Sequence, residues 1–118
     1  MKRDFDLIRS IMLQVEQADS GTALVVLEVG PDIRDSAVAE HIELMVEADL
    51  VVGEVFSRDP LTFAIQRLTW GGHDFLENAR NDTIWKKVVA QSKAKGSSMT
   101  LTILNGLLSR AAEKYAGL

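Results

Sequence analysis

Apolar residues recur along this chain with two different periods, and the switches between them mark its elements. Leu7, Ile8, Ile11, Met12 and Val15 fall at intervals of three and four, so they share one face of a helix over residues 4–17. Asp4 and Asp6 stand in its first turn, where carboxylates meet the positive end of the helix dipole. Asp19-Ser20-Gly21 ends it. Residues 22–29 are rich in β-branched side chains and predict a short strand, closed by Gly30-Pro31. A second helix is predicted over residues 36–48. Its apolar line is Val38, Ile42 and Met45, with His41, Leu44 and Ala48 beside it. Asp35 or Ser36 is expected to cap its start. Asp49 is expected to take the left-handed position after its end.

Residues 50–56 and 61–68 have strand composition, and Ser57-Arg58-Asp59-Pro60 between them supplies turn chemistry. Together they predict a β-hairpin. Thr69 is then placed to cap a helix carrying Phe75, Leu76 and Ala79. Another helix starts near Asn81-Asp82, buries Ile84, Trp85, Val88 and Val89, and stops at Gly96. A last one is expected over residues 99–115, capped by Ser97 or Ser98.

A helical pair feeding a two-stranded hairpin is the winged-helix arrangement. The predicted fold class is α+β, mainly α. Residues 1–80 form a winged-helix-like domain of two N-terminal helices plus the hairpin. Residues 81–118 form a helical C-terminal extension packed on it, giving one structural domain. The hairpin is expected to lie against the first two helices. The usual middle helix of this arrangement is reduced or absent, because residues 30–35 leave little room for it.

Composition adds limits. A length of 118 residues suits one domain. The absence of cysteine removes disulfides and thiolate metal sites, and it fits a reducing compartment. No apolar run approaches the roughly 20 residues needed to span a bilayer. Acidic side chains at Asp4 and Asp6 stand where a signal peptide needs an apolar stretch. The expectation is a cytoplasmic protein with no membrane partner. Charge is uneven. Residues 1–60 carry five basic and thirteen acidic side chains, a net of −8; residues 61–118 carry eight basic and four acidic, a net of +4. Such a polar molecule can steer a partner or join two copies head to tail.

Three blocks carry a family resemblance. They are the opening residues 1–9; Ala39-Glu40-His41-Ile42-Glu43-Leu44-Met45 with residues 47–51; and Leu68-Thr69-Trp70-Gly71-Gly72-His73-Asp74-Phe75-Leu76 running into Asn81-Asp82-Thr83-Ile84-Trp85. Over nearly its whole length the chain resembles family number 2513 of the domains of unknown function, small bacterial and phage-borne proteins. The resemblance implies a winged-helix-like fold and a prophage context. It carries no established activity and therefore no catalytic residues. Asp49 stands where that pattern commonly has glycine, and Gly71 where it commonly has an acid.

The residues themselves offer little for catalysis. No nucleophile elbow and no Gly-rich phosphate loop is present, so no enzymatic activity, catalytic residue or cofactor is expected. His73 with Asp74 and Glu77 is too sparse a set for a metal, and a hydrogen-bonding or packing role fits it better. His41 is expected to be partly buried and structural.

Nucleic acid is the sharper question. In this arrangement the second or third helix commonly enters the major groove, and residues 36–48 stand in that position. Here that helix carries Glu40, Glu43 and Glu47 on its outward side, an acidic stripe facing a polyanion, whereas DNA affinity depends on Lys and Arg meeting phosphates. Candidate nucleic-acid contacts are therefore Arg58 in the hairpin turn and Lys86, Lys87, Lys93 and Lys95 further on. The last helix has a short seam of Leu101, Leu104, Leu108, Ala111 and Tyr115 at intervals of three and four. That seam serves either the core or self-association as a homodimer. The reading favoured is a protein-interaction or regulatory module that binds a protein partner or itself. The alternative is a DNA-binding regulator of phage or mobile-element origin.

Overall fold

The first helix forms where its periodicity places it. In the computed structural model, which describes residues 2–18, 27–94 and 100–115, α1 spans Phe5–Gln17. The Asp4 carboxylate accepts the Leu7 amide at 3.1 Å and so caps it. The five predicted apolar residues are its buried face. Among the described residues there follow α2 (Asp35–Glu47), β1 (Val51–Arg58), β2 (Leu61–Leu68), α3 (Trp70–Ala79), α4 (Asp82–Ala94) and α5 (Leu101–Tyr115). The fold is thus α+β and mainly helical, with one antiparallel hairpin. Its contacts group into two units, residues 1–73 and 74–118, the chain boundary between them falling within the sequence of α3.

In the first unit α2 packs on β1, α1 on β2, and the two helices on each other, as expected of the hairpin. α2 buries Val38, Ala39, His41, Ile42 and Met45. Its start differs from expectation. The cap position is Arg34, extended and with no side-chain hydrogen bond, while Asp35 lies inside the first turn. There its charge still meets the helix dipole. His41 is buried, more deeply than predicted. Its Nδ1–H donates to the Ala37 carbonyl at 2.7 Å, because a carbonyl can only accept. Nε2 is left as the acceptor for the Asp4 amide at 2.8 Å. One imidazole therefore joins the start of α1 to the middle of α2.

Part of the predicted strand, residues 22–26, lies outside the described residues. Residues 27–29 do not form a strand. Instead the Gln14 side-chain amide donates to the Glu28 carbonyl at 2.9 Å and accepts the Glu28 amide at 2.7 Å. A helix side chain here takes the place of a neighbouring strand.

The hairpin is longer and tighter than its composition suggested. Ser57 and Arg58 belong to β1, Arg58 pairs with Leu61, and Asp59-Pro60 alone makes the turn, with a cis peptide bond. The ladder is interrupted twice. Gln66 is the extra residue of β2 between Arg67 and Ile65, and Phe56 is the extra residue of β1 between Val55 and Ser57. Bulges re-aim side chains, and Phe56 is 61% exposed.

α2 ends in a Schellman motif. The Leu50 amide reaches back to the Met45 carbonyl at 2.9 Å and the Asp49 amide to Val46 at 3.0 Å. Asp49 sits at φ 59°, in the left-handed position predicted for it. Immediately beside it, Thr69 ties the two ends of the hairpin together. Its amide donates to the Leu50 carbonyl at 3.0 Å, and its hydroxyl donates to the Asp49 carbonyl. The same hydroxyl accepts the Gly72 amide at 2.9 Å, capping α3 as expected.

In the second unit Phe75, Leu76, Ala79, Ile84, Trp85, Val88, Leu104 and Leu108 are buried. Val89, expected with them, is only half-buried. Phe75 meets Trp85 edge to face with ring centroids 6.4 Å apart, the geometry aromatic quadrupoles favour. Asn78 and Asn105 bond across the unit at 2.9 Å. Asn81 caps α4 by accepting the Ile84 amide. Thr100 caps α5 by accepting the Ile103 amide at 3.1 Å. That replaces the expected Ser97 or Ser98, and the helix accordingly starts at Leu101 rather than at residue 99.

Gly72 and Gly106 separate two roles of glycine. A Cβ on Gly72 would run into the Leu50 carbonyl, whereas one on Gly106, inside α5, would meet open space. Gly72→Ala is expected to destabilise the fold by about 2 kcal/mol, as a methyl forced against backbone does. Gly106→Ala is expected to stabilise it by about 0.5–1 kcal/mol through helix propensity. Urea midpoints of the two variants check the opposite signs.

Candidate functional site

The acidic stripe of α2 does not stand alone. Successive positions of β1 alternate sides, and the strand runs far enough to carry Arg58 back over α2. The Arg58 guanidinium donates to the Glu43 carboxylate at 2.7 Å and to the Glu40 carboxylate at 3.0 Å. The three side chains are between about a third and a half exposed, so water and salt screen the pairing. The hydrogen bond to Glu43, then the charge of Glu43, then Glu40 raise the Arg58 pKa, and the group stays cationic at every physiological pH. Glu47, one turn on, is exposed.

This arrangement changes what Arg58 can offer. A guanidinium beside two carboxylates keeps N–H donors to spare, but its charge is offset by theirs, so a phosphate gains little net attraction at this tip. The hairpin tip and the outward face of α2 form one surface, and its charged groups include Arg58 and Asp59 from the tip and Glu40, Glu43 and Glu47 from the helix.

The other predicted contact residues that the structure describes lie on α4. Lys86 pairs with Asp82 at 3.0 Å along α4. Lys87 is exposed on the same helix. Lys95 and the side chain of Lys93 lie outside the described residues. Of the apolar seam, Leu104 and Leu108 are fully buried and belong to the core of the second unit. Leu101 and Ala111 are half-buried, and the side chain of Tyr115 lies outside the described residues. His73 is exposed, with its backbone amide bonded to the Thr69 carbonyl. Among the described residues no group of three or more His, Asp or Glu could hold a metal ion. No described helix is long and apolar enough to cross a membrane.

Two features escaped the sequence reading. One is an open groove of about 870 Å³ between α4 and α5, with Ile84, Val88, Leu107 and Ala111 as its aliphatic floor and Lys87, Arg110 and Lys114 around it. Its signal was present: Leu107, Arg110, Ala111 and Lys114 recur at helical spacing on the side of α5 next to the seam. The other is Trp70, 83% exposed at the first residue of α3, for which hydrophobicity alone predicts burial.

The model of the family described as hypothetical protein (DUF2513) matches residues 2–98. The chain belongs to that family. The match to DUF2513 takes in α1, α2, the hairpin, α3 and α4 and stops ahead of α5. An uncharacterised protein of Haemophilus influenzae is 30% identical over 102 residues, which is 86% of each chain. No solved structure matches.

Removing the Arg58 guanidinium is expected to loosen the hairpin tip without unfolding the protein. In Arg58→Ala, and likewise in Glu40→Gln/Glu43→Gln, amide hydrogen exchange at Ser57 and Leu61 should rise about two- to five-fold, the scale of an exposed ion pair. The difference from wild type should shrink in 1 M salt, where the Debye length is about 3 Å.

Proposed function

We propose that this member of the DUF2513 family is a non-enzymatic, winged-helix-like cytoplasmic module that works by binding protein, itself included, rather than by reading DNA through α2. The single observation carrying this reading is the engagement of Arg58 by Glu40 and Glu43. In a DNA-reading winged helix, the second helix and the hairpin present cations to the groove and the phosphates. Here the cation at the hairpin tip is neutralised by the helix, and the helix keeps a net negative face. The helical pair feeding a hairpin that packs on both helices supports the winged-helix-like assignment.

One observation favours the second reading, a DNA-binding regulator of phage or mobile-element origin. Lys86 and Lys87 are exposed on α4, and Arg110 and Lys114 are exposed on α5. A non-specific electrostatic mode would use these side chains and leave α2 aside.

Fluorescence anisotropy with a labelled random-sequence duplex, titrated at low and at physiological salt, separates the two. The expected outcome is no saturable binding up to about 10 µM protein at physiological salt, weaker than an ordinary non-specific DNA binder. Micromolar affinity that falls steeply with salt and is abolished in Lys86→Glu/Lys87→Glu would establish the DNA reading instead.

A further inference from the structure

Two surfaces of this chain are unlike the rest, and their chemistries are complementary. The first is the groove of the second unit. Ile84, Val88, Leu107 and Ala111 give it an aliphatic floor, Arg110 and Lys114 stand at its edge, and no carboxylate lines it among the described residues. The second is the corner where α2 ends and α3 begins. Val46, Glu47, Ala48 and Asp49 are all exposed, and Trp70 beside them is 83% exposed. The proximity is built in: Thr69 bonds the Asp49 and Leu50 carbonyls, so the residue after Thr69 is held against the end of α2.

An indole displayed this fully on a rigid helix start is costly to leave in water and typical of an interface anchor. Its flanking carboxylates, Glu47 and Asp49, determine what it can meet. A second acidic corner is repelled, and so is DNA. A cationic groove with an aliphatic floor is attracted, because the ring finds apolar contact and the carboxylates find Arg110 and Lys114. The chain as a whole shows the same asymmetry, with a net of −8 in residues 1–60 and +4 in residues 61–118.

We propose that two copies of this chain associate reciprocally, the Trp70 corner of each copy seating in the α4–α5 groove of the other. The proposal rests on the self-association part of the function proposed above and gives that part a specific interface.

Sedimentation velocity on the full chain, run from micromolar to several hundred micromolar at low and high salt, measures the association. Intrinsic fluorescence follows Trp70 in the same samples, since Trp85 is buried throughout. The expected result is a monomer–dimer equilibrium that weakens with salt, with Trp70 emission shifting blue and becoming resistant to acrylamide as concentration rises. Trp70→Ala and Arg110→Glu/Lys114→Glu should each raise the dimer dissociation constant at least about ten-fold, the scale of a lost interface anchor. Circular dichroism should show their helix content unchanged, as the replaced side chains are exposed. Adding Glu47→Lys to Lys114→Glu should recover part of the affinity that Lys114→Glu alone loses.

A dimer that ignores these substitutions overturns this interface and leaves self-association standing. A strict monomer at the highest concentration overturns both. Trp70 protected at every concentration in a monomer also overturns the proposal, because the indole is then covered within one chain.

Discussion

Thr69 sets the constraint on which the first unit depends. Two chain reversals meet there: α2 turning into β1, and β2 turning into α3. Its amide and hydroxyl donate to the carbonyls of Leu50 and Asp49, and its hydroxyl accepts the Gly72 amide. A buried hydroxyl is costly unless satisfied, and this one is satisfied as donor and as acceptor. The geometry leaves no freedom around it. Asp49 must be left-handed so that Leu50 can close the Schellman motif, and Gly72 must lack a Cβ so that α3 can start against the Leu50 carbonyl. Trp70, between Thr69 and Gly72, is held outward by the same bonds.

From that junction the hairpin runs out over α2, and its length decides the electrostatics. Had β1 ended at Phe56, Arg58 would sit in a loose turn, free to search for a phosphate. Because the strand continues to Arg58 and the turn is only Asp59-Pro60, the guanidinium is delivered to Glu40 and Glu43. The pairing contributes little to stability, being exposed. It couples tip and helix and offsets the cation at the hairpin tip.

Much of this was legible in the sequence because single physical rules governed it. The helical period of residues 7–15 named the buried face of α1, and the turn chemistry before residue 61 located the hairpin. The left-handed Asp49 followed from its place after the last periodic residue. Misreadings arose where several residues could do the same job. Asp35, Ser97 and Ser98 are all good caps, yet the chain uses Asp4, Thr69, Asn81 and Thr100 in that role and leaves α2 without a side-chain cap. Propensity ranks caps but does not choose between neighbours; packing of the helix face does. The pairing of Gln14 with Glu28 and the bulge at Phe56 are non-local, and periodicity is blind to them. Arg58 was found, but its partners required the length of β1.

The last helix shows the same limit in functional terms. A seam of Leu101, Leu104, Leu108 and Ala111 on an amphipathic helix is ambiguous between core and interface, since both want the same spacing. Leu104 and Leu108 are wholly buried, so the seam's centre belongs to the interior and is unavailable to a partner. What remains open on α5 is the adjacent stripe, where Leu107 and Ala111 lie beside Arg110 and Lys114. An apolar strip edged with cations is a poor core and a poor solvent face. In the proposed pairing that strip meets apolar surface and carboxylates together, which the end of α2 with Trp70 brings.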